Sequence, residues 1–323
     1  MFLGLTPKTI GQIGAGKHAP NGRLDVAMIQ SLVRLGSVDD LVATYGHVIV
    51  DECHHIPAVS FERVLSEVKA RFVTGLTATP RRRDGLHPIT QMQLGPVRFA
   101  VDARSQAAQR PFDHRLIVRE TAFGRDRAVS VDSIHALYAA LAANGQRNRL
   151  ILDDVTTALA EGRSPILLTE RKDHLEFLAA SLQGVARHLI VLRGGMTPTE
   201  RRAAAATLAA IPDAEPRLLI ATGRYLGEGF DDGRLDTLFL AMPVSWKGTL
   251  VQYAGRLHRL YPGKTEVRIY DYVDSNVPLL ARMFGKRLRG YHAIGYARGS
   301  ASLTREEVDD ETEGSFDSPA VAE

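Results

Sequence analysis

Short apolar, β-branched runs alternate along this chain with stretches of helical periodicity, and that alternation restricts the fold more than any other feature of the sequence. RLDVAMIQSLVRL begins the series at 23–35 and HVIVDE follows at 47–52; a helical pattern near 58–69 then leads into RFVTGLTAT at 71–79. The pattern resumes with SPILLTE at 164–170, helical spacing near 171–182, HLIVL at 188–192, a helix near 198–210, and RLLIAT at 217–222. LDTLFLA, a helix near 247–257 and EVRIYDYV at 266–273 complete it. Strands separated by helices predict an α/β fold with parallel sheets, because a parallel pair needs a long crossover that a helix supplies. Ligands of such sheets sit beyond the C-terminal strand ends, where the charged and Gly-rich segments of this chain fall.

A length of 323 residues with 45% apolar side chains suits two medium domains. The stretch ARSQAAQRPF at 103–112 is polar, Ala-rich and aperiodic, so it is expected to link a domain at 1–102 to another at 113–290. Residues 291–323 are expected to form a C-terminal end with an acidic, disordered tail, since 304–323 hold eight acids against the single base Arg305. Removing that tail from the net charge of +3 leaves +10 on residues 1–303, which suits a polyanionic partner. A helix near 276–297 carries Arg282, Lys286, Arg287 and Arg289, expected as solvated bases on an amphipathic helix rather than as a nucleic-acid grip. Cys53 is the only cysteine, which excludes an internal disulfide, and no Cys/His cluster has zinc spacing. The chain has no signal-like start and no apolar run near the roughly 18 residues of a membrane span, so a cytoplasmic protein without a membrane partner is expected.

Three segments carry chemistry. The strand at 47–50 ends in Asp51 and Glu52, and paired carboxylates at a parallel-strand tip suit phosphoryl transfer: Asp51 to hold Mg2+, through water, and Glu52 to act as the base on the attacking water. Solvated acids at a surface strand end are the plain alternative. The next strand ends in Thr77-Ala78-Thr79-Pro80, whose hydroxyls are placed to hydrogen-bond His54, or simply to form a turn. In the second half Gln252, Arg256 and Arg259 recur at offsets of four and three, one face of a helix, where clustered guanidinium groups call for an anion unless each is solvated.

Asp51-Glu52-Cys53-His54 resembles motif II of the superfamily-2 helicases in its DExH form, and Thr77-Ala78-Thr79 resembles motif III. Ala221-Thr222-Gly223 through Gly227-Glu228-Gly229-Phe230-Asp231 is similar to motif V, and Gln252 to Arg259 to motif VI, all in family order across about residues 20–275. The likeness is nearest to XPB-type and restriction-type DEAD/DEAH-box proteins. It implies two RecA-like lobes of a P-loop NTPase, ATP and Mg2+ as cofactors, and nucleic acid as partner, DNA favoured over RNA. It also implies that His54, Thr77 and Thr79 couple the nucleotide site to the nucleic-acid track, and that Gln252, Gly229 and Asp231 bind nucleotide. Arg256 and Arg259 would meet the γ-phosphate, Arg259 as the arginine finger; Thr169, Arg171, Arg193, Gly194 and Thr222 would face nucleic acid.

The family's phosphate loop is GxxxxGK followed by Ser or Thr, opening a helix. Gly11 to His18 matches formally, but His18 replaces the hydroxyl and a turn, Ala19-Pro20-Asn21-Gly22, comes next where a helix should begin. Pro262-Gly263-Lys264-Thr265 lacks the first glycine and reads as a turn. The first lobe is therefore expected to be incomplete, through a truncated gene, a separately encoded N-terminal half that carries the loop, or loss of nucleotide binding. The functional expectation is an ATP-dependent helicase or translocase that needs the absent segment. A binding-only remnant and an unrelated parallel-sheet phosphate enzyme are the alternatives.

Overall fold

The computed structural model describes residues 5–34, 37–55, 59–78, 87–125, 133–223, 232–244 and 247–298. Thr79, Gly229, Asp231 and the acidic tail lie outside them. The chain divides into two compact units, residues 1–100 and 101–323.

In the first unit, β1 (Gly11–Gly14) pairs antiparallel with β2 (Lys17–Ala19) and parallel with β3 (Asp25–Ala27). β4 (Val33–Arg34) and β5 (Ser37–Val38) form a small antiparallel pair, and β6 (His47–Val50) runs parallel to β7 (Phe72–Gly75) across the helix α1 (Val59–Ser66). The long apolar run at 23–35 is broken at Met28, after which Ile29–Leu32 turn as a 3-10 helix. The unit's apolar contacts form two small clusters, one around Ile13, Leu32, Val42 and Val64, the other around Val50, Cys53 and Leu65. α2 (His87–Leu94) packs beside the second through Ile89 and Leu94.

The second unit is built on a seven-stranded sheet in which every pairing is parallel. Its strands are β8 (Asp113–Glu120), β9 (Pro165–Thr169), β10 (His188–Leu192), β11 (Arg217–Thr222), β12 (Thr237–Leu240), β13 (Glu266–Val273) and β14 (Ala297–Arg298), in the order β10-β11-β9-β12-β13-β8-β14. Side chains alternate between faces, and both faces are covered, which is why these strands read as continuous apolar runs. Leu168, Leu219 and Leu240 enter one cluster with Leu250 and Leu257 of α8 (Lys247–Leu257) and Tyr291 of α9 (Pro278–Ala293). Leu167, Ile220 and Phe239 enter the other with Val155 of α5 (Gly145–Ala160) and Leu178 of α6 (Lys172–Ser181). α7 (Pro198–Ala210), opened by a Thr197–Glu200 capping box, buries no residue fully. Among the described residues no helix is long and apolar enough to cross a membrane.

Two expectations are corrected here. The supposed linker contains the helix α3 (Ala103–Ala108), capped where the Asp102 carboxylate accepts from the Ser105 N–H at 2.8 Å, with Ala107 buried and Phe112 in the sheet's core. Only one of its six residues is buried, so its composition mimics a linker. Arg287 is not a solvated base: its Nε and Nη2 donate to the two Asp271 oxygens at 2.7 and 2.8 Å, both side chains are buried, and the Tyr291 hydroxyl donates to the same carboxylate. β8, α4 (Ile134–Ala143) and α5 were not anticipated; within α5, buried Arg147 pairs with buried Asp274 at 3.1 Å and donates to the Ala241 carbonyl.

Removing one partner of such a pair strands a buried charge. Arg287→Ala should lower unfolding stability by about 3–5 kcal/mol in urea titrations. Arg282→Ala on the same helix should stay within about 0.5 kcal/mol of the parent, and equal effects of the two changes would contradict the burial assigned to Arg287.

Candidate nucleotide and nucleic-acid site

In the first unit the ladder between β6 and β7 continues past the strand ends. Val50 stands opposite Gly75, the Leu76 N–H donates to the Val50 carbonyl at 2.9 Å, and the Cys53 N–H donates to the Leu76 carbonyl at 2.9 Å. This stitching brings the acidic tip against Thr77. His54 Nδ1 hydrogen-bonds the Thr77 hydroxyl at 2.9 Å, and Glu52 Oε2 lies 3.1 Å from the same nitrogen. Glu52 has a φ of +48°, a left-handed conformation that costs a non-Gly residue energy. Its N–H donates to Asp51 Oδ1 at 2.9 Å, which helps to hold the bend. Burial pushes the Cys53 thiol pKa up, with the two adjacent carboxylates adding to the effect, so the thiol stays protonated and acts as packing. The structure thus brings together four of the residues singled out from the sequence: Asp51, Glu52, His54 and Thr77.

Gly11 to His18 is a hairpin. Gly14 pairs with Lys17, Ala15 and Gly16 turn at φ +51° and +78°, and His18 reaches Asp39 at 3.2 Å. Two consecutive positive φ values suit a tight hairpin turn. They place Lys17 on an antiparallel arm, in a strand and not at the opening of a helix. The segment around Lys264 is likewise a turn, and its amine donates to the carbonyls of Gly233, Leu235, Leu257 and Arg259. Burial lowers the Lys264 pKa to about 8.

In the second unit, Gln252 and Arg256 are half-buried on α8. Arg259 is not on that helix, which ends at Leu257 because Lys264 takes the carbonyls of Leu257 and Arg259. The strand tips also depart from expectation. Thr169 is buried, its hydroxyl 3.0 Å from His174 Nδ1, and His174 Nε2 lies 3.0 Å from Asn148 Oδ1. Thr169 therefore braces the tip and offers nucleic acid no surface. The Arg193 N–H donates to Met196 Sδ at 3.4 Å and the Gly194 N–H donates to the Thr222 hydroxyl at 3.0 Å, so these amides already hold partners instead of awaiting a phosphate. Arg171 is partly exposed and paired with Asp173 at 2.6 Å.

Sequence reasoning missed a cavity of about 960 Å3 at the same strand ends, lined by Glu170, Arg171, Tyr138, Tyr253, Pro243 and Thr249 among others. Tyr253 follows Gln252 on α8 and donates its hydroxyl to Glu170 Oε1 at 3.4 Å. A Cβ at Gly223 would run into the Tyr253 hydroxyl and Glu170 Oε1, so a larger residue there would have to displace the ends of those two side chains. Glu170 is open to solvent along its surface. Enough protein nevertheless crowds its carboxyl for burial to raise the pKa, against the lowering effect of the Tyr253 hydrogen bond. The available signal was the glycine closing Ala221-Thr222-Gly223, a position no side chain shares with Tyr253.

A parallel sheet covered on both faces, with its polar groups gathered at the C-terminal strand ends, defines a RecA-like lobe. The chain is similar over 84% of its length to the DNA-bound ATP-dependent Type ISP restriction-modification enzyme LlaBIII (14% identity, TM-score 0.58, 21% of that chain). It is similar over 90% to S. cerevisiae Dbp5 bound to RNA and ADP BeF3 (12% identity, TM-score 0.56, 70% of that chain). Residues 3–82 match the family model "Type III restriction enzyme, res subunit". Probable helicase D10 of Escherichia phage T5 is 26% identical over 270 residues, 81% of this chain and 56% of that protein. These matches make the chain similar to superfamily-2 helicases. It spans about half the length of the curated relatives it matches, between 47% and 56% for D10 and two further viral proteins.

This geometry has two expected outcomes. Gly223→Ala forces Tyr253 aside and should cost about 1–3 kcal/mol. Combining it with Tyr253→Phe should recover part of that loss in a double-mutant cycle, and strict additivity would disprove the contact. Burial, with Arg147 nearby, pushes the His174 pKa down to about 4 from an ordinary 6.5. A depressed folded pKa contributes stability present above 6.5 and lost as pH falls toward 4. His174→Gln should therefore flatten the stability-versus-pH slope between those limits by up to about 1.4 kcal/mol per pH unit. An unchanged slope in chemical denaturation would show that His174 takes up its proton in the folded chain.

Proposed function

We propose that this chain is the motor part of an ATP-dependent nucleic-acid helicase or translocase that works on DNA in the cytoplasm. The observation that carries this reading is the junction of Asp51, Glu52, His54 and Thr77 across two parallel strand tips. The DNA preference draws on the restriction-enzyme family match and on the DNA-bound LlaBIII, while the RNA-bound Dbp5 stands against it. Asp51 suits a Mg2+ held through water, and Glu52 suits the role of base toward an attacking water. Among the described residues no group of three or more His, Cys, Asp and Glu side chains converges as a metal site, so such an ion would complete its shell with water and phosphate oxygens. Gln252 and Arg256, with Arg259 beyond the helix end, are the nucleotide-facing set from the second lobe; Gly229 and Asp231 complete it in the family pattern. Thr222, Arg171 and Arg193 remain the candidates for the nucleic-acid backbone.

The phosphates are a different matter. The Gly11–His18 hairpin offers no helix N-terminus and no hydroxyl, so it does not fit a triphosphate. ATP turnover is therefore expected to depend on a Walker-type loop from other polypeptide, in the same product or a separately encoded half. A binding-only role, favoured by that same hairpin, is the second reading.

Single-strand-stimulated ATPase separates them. The 323-residue chain should turn over little ATP alone, and activity should appear once a segment carrying the loop is joined upstream. In the joined protein Glu52→Gln should lower the rate at least about a hundredfold. Robust turnover by the chain alone would show the hairpin reading to be wrong, whereas an inactive joined protein, or an unaffected Glu52→Gln, would leave only the binding role. Binding to DNA should weaken steeply with salt, as backbone contacts require.

A further inference from the structure

The cavity beside Glu170 has a composition that the motor reading does not use. Its volume of about 960 Å3 is in the range of small-molecule sites. Tyr138, Tyr253, Pro243 and Val244 give it apolar wall, while the charged residues of its rim are mostly matched. Arg171 pairs with Asp173 at 2.6 Å and Lys172 with Glu176 at 4.0 Å. Glu170 is the exception: the Tyr253 hydroxyl is its hydrogen-bond donor, and among the described residues no cation pairs with its carboxyl. A carboxylate in this position repels phosphate and accepts from N–H donors. The pocket therefore calls for a flat, apolar-faced group that presents such donors. Its place beyond the ends of β9 and β12, close to Thr222 and Gly223, is where a strand crossing the lobe would pass.

We propose that this cavity receives one unstacked nucleobase of a bound single strand and favours guanine, whose adjacent N1–H and N2–H donors match the two oxygens of the Glu170 carboxylate. Cytosine and adenine offer one amino group beside an acceptor. Thymine offers a single N–H between two carbonyls that a carboxylate repels. The half-buried Tyr138 offers the base an aromatic wall, as single-strand binders do with bases in general. Glu170 then adds a choice of base to an otherwise backbone-driven grip. The inference rests on the nucleic-acid reading above.

Fluorescence anisotropy on the full chain tests it, with a thymine 20-mer compared against the same oligonucleotide carrying guanine at intervals. The guanine-bearing strand should bind roughly tenfold tighter. Glu170→Gln should bring that ratio close to one, by weakening the guanine-bearing strand and relieving the repulsion of thymine, and replacing guanine by inosine, which lacks the N2 amino group, should do most of the same with the unaltered protein. If both strands bind equally, or if the ratio survives Glu170→Gln and inosine alike, the base pocket is overturned and backbone binding stands. If neither strand binds at any salt concentration, the nucleic-acid reading itself fails and the pocket falls with it.

Discussion

Burial of both faces of the seven-stranded sheet is the constraint on which the second unit depends. With Leu167, Leu168, Ile220 and Phe239 committed to one helical layer or the other, nearly all polar chemistry is driven to the strand ends. The carboxylates that do sit inside, Asp271 and Asp274 on and just beyond β13, each hold a buried guanidinium, from Arg287 and Arg147. An unpaired charge there would be prohibitive, and the extra hydrogen bonds from Tyr291 and Thr121 satisfy remaining lone pairs. Those pairs tie α5 and α9 to the end of β13. The strand ends are consequently held from beneath, and the loops above them inherit a fixed platform.

Much of this was legible because its cause is local. Apolar runs such as PILLT and HLIVL announce doubly covered strands, and the strand-tip residues Asp51, Glu52, His54 and Thr77 stand close in space because β6 and β7 are parallel neighbours. What could not be read depends on partners remote in sequence. Arg287 has the letters of a solvated base, and only Asp271 sixteen positions away makes it a core residue. Thr169 and Gly194 lie at tips as expected, yet His174 and Thr222 have already taken their hydrogen bonds. The Glu170–Tyr253 contact spans 83 positions and has no local trace beyond the glycine at 223 that sits against it. Residues 103–112 failed for the opposite reason, since a short helix that buries Ala107 alone and packs Ala103 in part carries almost no periodic signal.

The Gly11–His18 segment shows how composition can match while conformation does not. A phosphate loop needs successive N–H groups pointing at one anion and a helix dipole behind them. Here Gly14, Ala15 and Gly16 spend the same permissive backbone on reversing the chain, so the N–H groups of the flanking strands are taken up by a ladder of carbonyl partners. Lys17 and His18 lie on the exposed return arm, with His18 tied to Asp39. The letters of the motif are therefore a weaker constraint than the residues just beyond it: Pro20 and Gly22 forbid the helix that would have given the loop its function.

The two units also differ in how firmly they hold their polar tips. In the second, Thr169, His174 and Asn148 form a buried chain, and desolvation keeps His174 neutral. In the first, the carboxylate tip rests on a two-stranded parallel pair whose Ile49 and Phe72 are 61% and 57% exposed. A parallel pair of that size gains little from its own packing, so its order comes from the clusters around Val50 and Ile13 and from the His54 bridge to Thr77. That bridge joins two loops through one imidazole nitrogen, which Glu52 also approaches. Glu52 Oε2 lies within ion-pair reach of the imidazole that holds Thr77, so the acidic tip and the hydroxyl tip are ordered around the same side chain.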